Sequence, residues 1–352
     1  MGVFDDVLRS GESLIKNDNA LDYEFLPKNI PYRENEQKHI ATCIKPLFQG
    51  RSGRNLLIFG DPGIGKTAAT KHVLKELEEK TDEVIPIYVN CWQKNTTYKI
   101  LLDICDQLGY KFTQNKKTVE LMKVVEKIVN KNSAVFVFDE IDKAEDWDFL
   151  YYVLEDIHKK SVLLITNYKN WINDLDKRIR SRLVPERVEF NQYKRSETKG
   201  ILQERLKYAF VPGVWEQDAL ELVVDKADQL KDIRSGLFLL REAALSAEDE
   251  SKKKISKENV KTAIQKLDSF TIKNSENLED ETHMIYQIVK NNSGKKIGDL
   301  YKIYEDKGGN SSYKTFQRKI KKLAEGRFVK TTKKTGKGGN TTIVEKTLDN
   351  YT

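Results

Sequence analysis

Along the first two-thirds of the chain, short apolar runs alternate with stretches in which apolar residues recur every three or four positions. The runs are residues 56–59, 84–90, 134–138 and 161–165. Runs that lack a polar face predict strands buried on both sides, as in a covered parallel sheet. Between them, residues 34–48, 68–80, 98–108 and 118–130 carry the helical period. Strand–helix alternation of this kind predicts an α/β core. A short strand at 188–190 completes the set. From 196 to 267 only the helical period remains, over 196–210, 217–228, 234–248 and 256–267, which predicts an all-helical subdomain. Residues 269–278, SFTIKNSENL, are polar and read as a linker. Helices at 280–291, 298–307 and 312–325 follow, then strands at 327–332 and 341–346. On the last helix Tyr313, Phe316, Ile320 and Leu323 fall on one stripe. The expected division is 1–190 core, 191–268 helical subdomain, 269–278 linker and 279–352 terminal module.

Chemistry enters at the first strand. Gly60-Asp61-Pro62-Gly63-Ile64-Gly65-Lys66-Thr67 fits G-x-x-x-x-G-K-[ST], with a strand before it and a helix after. Glycines let backbone N–H groups turn around phosphate oxygens, and a helix start aims its dipole at the same charge. Asp61 to Ala68 are therefore expected to cradle ATP or ADP. Lys66 would reach the β- and γ-phosphates, and Thr67 would hold Mg2+. The apolar run 134–138 ends in Asp139-Glu140. Carboxylates at the carboxyl end of a parallel strand sit where ligands bind. Asp139 would hold Mg2+ through water, and Glu140 would polarise the attacking water as general base. Asn167, at the end of the next strand, could bond the γ-phosphate or that water, or simply cap a turn. Arg178, Arg180 and Arg182 alternate on an expected loop. They could stabilise charge on a neighbour's nucleotide or form a solvated face. Arg234 opens a helix and could reach back to a nucleotide or pair with Asp232.

Charge sharpens the picture at the far end. Residues 279–352 carry 16 Lys/Arg against 9 Asp/Glu, which accounts for the whole chain's +7. A basic module on a neutral body suggests nucleic-acid binding. Three helices and a basic hairpin describe a winged helix, with its third helix in the major groove. There Lys314, Gln317, Arg318 and Lys321 lie opposite the apolar stripe. Gln317 and Arg318 are candidates for base edges, and Lys333, Lys334 and Lys337 at the hairpin tip for backbone. A winged helix used for protein contacts is the alternative. No apolar run approaches the ~20 residues of a membrane span. The N-terminus, with early acids, does not read as a signal peptide. Cys43, Cys91 and Cys105 are scattered and read as reduced cytoplasmic thiols, and the four histidines lie far apart.

With these pieces in order, the chain resembles the AAA+ replication initiators, the archaeal origin-recognition and helicase-loader proteins, which are similar to eukaryotic origin-recognition-complex subunits. The phosphate loop, the DEID run at 139–142 and Asn167 match the family's Walker A, Walker B and sensor-1 motifs. The resemblance implies an AAA+ P-loop ATPase core with a parallel sheet, a helical lid and a C-terminal winged helix. It places Ile30, Tyr32 and Arg33 in the nucleotide-side motif. It makes Arg182 the finger acting on a neighbouring subunit, with Arg178 second, and Arg234 the sensor-2 arginine. The segment from Asn90 to Gly109 looks like the family's DNA-touching insertion, with Lys94 and Thr96 as contacts. One departure is Lys231-Asp232, where the family usually has Gly-Asp. The implied function is a cytoplasmic, nucleoid-associated initiator with weak ATPase activity as a switch. Its implied partners are double-stranded origin DNA, the replicative minichromosome-maintenance helicase and other initiator paralogues. A nucleotide-switched transcription regulator and a transposition-associated ATPase are the rivals.

Overall fold

A computed structural model describes residues 13–276, 280–309, 311–325, 328–336 and 339–346. It divides into two compact units, one ending at Ala263 and the other beginning at Ile264.

In the first unit, β1 (Leu56–Phe59), β2 (Val84–Asn90), β3 (Ser133–Asp139), β4 (Lys160–Thr166) and β5 (Glu186–Glu189) form one sheet in the order β2-β3-β4-β1-β5. Every described pairing in it is parallel. All seven residues of β3 and all four of β1 are buried. Alternate residues feed opposite layers. Leu57, Phe136, Phe138 and Leu164 pack on one face, and Leu56, Ile58, Val135 and Val137 on the other. This is the two-sided burial that uninterrupted apolar runs require. β1 sits between β4 and β5, so the loop leaving its carboxyl end lies beside the end of β4, with the end of β3 one strand further on. Helices Arg195–Ala209, Gln217–Leu230 and Ile233–Asp249 follow as the helical subdomain, with Lys257–Glu276 after them.

Several elements differ from expectation. The first helix is Glu34–Ile44, and Lys45–Gln49 continues as a tighter 3-10 turn. Pro46 has no N–H to donate, which breaks the α ladder there. Asp148–Asp156 forms a helix that the sequence reading did not assign. The arginine-bearing segment is not a loop but the helix Lys177–Leu183. Asp176 caps it by accepting the Arg178 N–H at 2.7 Å, while Ile179 and Leu183, one turn apart, are buried. The expected linker is helical as far as Glu276, and residues 277 and 278 lie outside the described ones.

The second unit holds Asp280–Asn291, Ile297–Asp306 and Tyr313–Glu325, with an antiparallel sheet ordered β6 (Lys295–Lys296), β8 (Gly339–Lys346), β7 (Val329–Gly336). Its core gathers Ile285, Leu300, Tyr304, Phe316, Ile320, Leu323 and Val344. Tyr313 leaves the expected stripe. It is 39% exposed and meets Tyr301 edge to face, at 5.0 Å between ring centres. The hairpin is longer than expected, because Lys333 and Lys334 pair with Thr342 and Thr341 in the ladder.

Candidate nucleotide site and nucleic-acid surface

The phosphate loop joins β1 to the helix Lys66–Lys80 and needs its glycines for two separate reasons. Gly60, Gly63 and Gly65 have φ of 148°, 77° and 89°, values that side chains resist. The loop is also backed closely. A Cβ on Gly63 would lie 2.1 Å from Asp232 Oδ1, and one on Gly65 2.7 Å from the Tyr193 hydroxyl. In front of the loop opens a cleft of about 570 Å3. Pro62, Gly63, Gly65, Lys66, Thr67 and Ala68 line its floor. Asp139, Glu140 and Asn167 line one wall, and Ile30 and Arg234 reach it from other elements. Residues from sequence positions 30 to 234 thus converge on one cavity.

The polar groups are already ordered around the loop. Lys66 Nζ donates to the Gly60 and Asp61 carbonyls, both at 2.8 Å, and to Asn167 Oδ1 at 2.9 Å. Burial lowers its pKa to about 8, against the pull of Asp139, Glu140 and Asp61. Thr67 Oγ1 donates to Asp139 Oδ2 at 2.6 Å, and the Tyr88 hydroxyl donates to the same oxygen at 2.7 Å. The other oxygen of Asp139 accepts the Glu140 N–H at 2.8 Å. Burial, and then Asp139, push the Tyr88 phenol upward, so it stays a donor. Glu140 sits in the left-handed region at φ 52°. Burial and the neighbouring Asp139 and Asp142 raise its carboxyl pKa, which suits a proton acceptor more basic than an exposed glutamate. Asn167 Nδ2 faces Glu140 Oε2 at 3.4 Å. The Thr67 hydroxyl and Asp139 carboxylate are hard oxygen donors side by side, a set that fits Mg2+.

Other expected site residues lie elsewhere. Arg33 is 4% exposed and does not line the cleft. It braces the loop from behind, bonding the Ile64 carbonyl through Nε at 3.2 Å and Nη2 at 3.0 Å, and the Asn191 carbonyl at 2.6 Å. The Tyr193 ring lies 3.9 Å from its guanidinium. Tyr32 points toward Gly200 and a second cleft. Asp61 turns aside to accept from Gln192 at 2.7 Å, and the Ile64 side chain is buried in the core. Arg178 pairs with Asp176 at 3.1 Å and Arg182 with Glu155, and both lie near Tyr151. Neither arginine lines this chain's own cleft. The Lys231-Asp232 step keeps the turn that glycine would give. Lys231 adopts φ 52°, and Asp232 caps the next helix by accepting the Arg234 N–H at 3.0 Å.

Toward the expected nucleic-acid surfaces, Lys94 stands 3.8 Å from Asp103. Thr96 caps the helix Thr97–Gln107 by accepting the Lys99 N–H at 3.4 Å. Trp92 beside them is 65% exposed. On Tyr313–Glu325, Lys314, Gln317, Arg318 and Lys321 are all exposed. Lys337 lies outside the described residues, as do the side chains of Lys333 and Lys334.

Sequence reasoning missed Tyr88, Arg205, Tyr208 and the segment 22–27, all of which line the cleft. Only Tyr88 left a signal: it lies two residues before Asn90 at a strand's carboxyl end. Nothing in sequence spacing brings 22–27 to a loop at 60–67.

Comparison with known proteins agrees with this geometry. The AAA domain family model matches residues 50–168, and the Cdc6 AAA+ ATPase-type lid domain matches 199–265. ORC1-type DNA replication protein 1 of Sulfurisphaera tokodaii is 33% identical over 276 residues, covering 74% of this chain and 69% of that one. ORC1-type DNA replication protein 2 of Methanothermobacter thermautotrophicus is 27% identical over 96% of this chain and 93% of its own. The structure of the Aeropyrum pernix ORC1 protein in complex with DNA superposes with a TM-score of 0.73 at 25% identity, over 96% of this chain and 95% of that one. A nucleotide-binding AAA+ core, a Cdc6-type lid and a relative above 30% identity together show that this chain belongs to the ORC1-type DNA replication proteins, the archaeal AAA+ origin-recognition initiators.

Proposed function

We propose that this protein binds ATP with Mg2+ in the cleft between core and lid, turns it over slowly, and grips double-stranded origin DNA to support loading of the replicative helicase. The observation that carries the reading is the convergence of the phosphate loop, Asp139, Glu140, Asn167 and Arg234 on one cavity. The loop's N–H groups and Lys66 hold phosphate oxygens, and Thr67 and Asp139 hold the metal. Bound Mg2+ would neutralise charge on the phosphates. Glu140 takes the proton of the attacking water, steered by Asn167. Arg234 brings the lid to the nucleotide, so occupancy sets the angle between core and lid. Arg182, and after it Arg178, belongs to this reading as the finger offered to a neighbouring subunit, an initiator paralogue or a second copy.

DNA contact is assigned to two surfaces. One is the helix Tyr313–Glu325 with the hairpin of Lys333, Lys334 and Lys337, where the division into core 1–190, lid 191–268 and winged helix 279–352 applies. The other is the segment around Lys94, with Trp92 exposed beside it. Support comes from the basic excess of the terminal module and from a relative whose structure was solved with DNA. Such a protein works on the chromosome in the cytoplasm.

The experiment pairs two variants with a footprint. Lys66→Ala should lose ATP binding, and unchanged affinity removes the site. Glu140→Gln should bind ATP without turning it over, and wild-type turnover removes its role as base. A single protected site on origin DNA supports an initiator. Uniform coverage of random DNA supports the transposition-associated alternative.

A further inference from the structure

Residues 22–27 line the cleft at the end of a stretch that is held by the lid as far as Phe25, before the Lys28 carbonyl meets His72 of the core at 2.8 Å. Leu14 N–H donates to Glu248 Oε1 at 2.7 Å, and the Lys16 and Asn17 N–H groups donate to the Ala209 carbonyl at 2.7 and 3.0 Å. Asp18 pairs with Arg241 at 3.0 Å. Arg205 then makes two charged bonds to backbone, from Nη1 to the Ala20 carbonyl at 3.0 Å and from Nη2 to the Phe25 carbonyl at 3.1 Å. Its guanidinium lies 5.0 Å from the centre of the Phe25 ring, and that ring lies 6.1 Å from Tyr208. Glu248 and Arg241 lie on the lid helix Ile233–Asp249, and Ala209 and Arg205 on Arg195–Ala209.

Arg205 is an unusual residue to find there. Burial lowers its pKa, and among the described residues no carboxylate pairs with it. A guanidinium withdrawn from water without a counter-charge is costly unless its donors are used. Here two are spent on fixing a turn of backbone. That turn presents Phe25 and Leu26 to the cleft, which Ile201 and Tyr208 also line. An apolar, aromatic wall suits the faces of a planar base, while the phosphate loop suits only the anionic end.

We propose that Arg205 is the positioning residue for the nucleotide base: by holding the Ala20 and Phe25 carbonyls it fixes the wall on which a purine stacks. The inference rests on the nucleotide reading above and deepens it. The phosphates are then gripped by the core and the base by the lid, through a strap that the lid holds as far as Phe25. Nucleotide is thereby a bridge between two bodies, and ADP, which keeps the base, retains half of that bridge.

The test uses the full chain and two ligands that share phosphates but not the base. ATP and inorganic tripolyphosphate are titrated by calorimetry into wild type, Arg205→Met and Arg205→Lys. Arg205→Met should weaken ATP by about ten-fold, the scale of losing charged hydrogen bonds. Tripolyphosphate affinity should stay within about two-fold of wild type. Trypsin should also cut faster at Lys16 and Lys28 in the variant. If Arg205→Met does not fold, Arg205→Lys is read the same way, since it keeps the charge but lacks the two-pronged donor. Unchanged ATP affinity in the folded variant overturns the proposal. So does an equal loss for ATP and tripolyphosphate, which would mean a general loosening of the fold. Failure of wild type to bind either ligand would strike the nucleotide site itself instead.

Discussion

Lys66 carries its charge in surroundings that disfavour it, and that sets a pH dependence. Burial brings its pKa down to about 8 without ligand. Phosphates bind the ammonium form and restore its proton. Above pH 8 binding must therefore take up a proton, and affinity should fall as pH rises from 8 to 9.5. Calorimetry at pH 8.5 in two buffers of different ionisation enthalpy reads that uptake directly. A flat affinity without proton uptake would show that Lys66 is not the phosphate ligand. At this scale the sequence was eloquent where chemistry fixes spacing, as for Lys66, Thr67 and Asp139. It misled where a side chain has a choice of direction. Arg33 lies two residues after cleft-lining Pro31, yet its guanidinium turns under the loop to bond the Ile64 and Asn191 carbonyls.

Elements were legible wherever burial imposes a period. The helix Thr118–Val129 and strand β2 fall within a residue of expectation. Short helices such as Asp148–Asp156 and Lys177–Leu183 show too few turns for a period to stand out. Their caps and tertiary packing decide them. Lys231 offers a direct measurement. It occupies a left-handed position, φ 52°, at the end of Gln217–Leu230. Lys231→Gly should raise stability by about 1 kcal/mol in urea unfolding, since glycine adopts this conformation without a Cβ penalty. Nucleotide affinity should be unchanged, because Asp232 still caps the following helix. A loss of stability would mean that the Lys231–Asp228 pair at 2.8 Å matters more than the backbone. In the second unit, Phe316 is fully buried against Tyr304 at 5.1 Å between ring centres. Phe316→Ala should cost about 3–5 kcal/mol. Hydrogen exchange should show that loss between 280 and 346 while the phosphate-loop helix keeps its protection.

Over the whole chain, charge is unevenly divided. The 278 residues before the terminal module are balanced, and the module carries the +7. DNA affinity should therefore fall steeply with salt. Removing Lys314 should lower the slope of log affinity against log salt by about 1 if that lysine meets a phosphate. Arg318→Ala should cost about 1–3 kcal/mol on preferred DNA and less on random DNA if it reads a base edge. Slopes identical to wild type would remove this helix from the interface. Neither change should alter ATP affinity.

The sequence by itself determined the phosphate loop, the acidic strand end, the buried sheet and the location of the positive charge. Each follows from local rules of spacing, period and composition. Only the tertiary structure decided which of these residues share a cavity. It sent Arg33 behind the loop and Tyr32 toward Gly200, brought Tyr88 onto Asp139, and tied the segment around residues 18–25 to Arg205 beside the cleft. Contacts between positions 20 and 205 depend on how helices stack on a sheet, and no pattern along the chain encodes that distance.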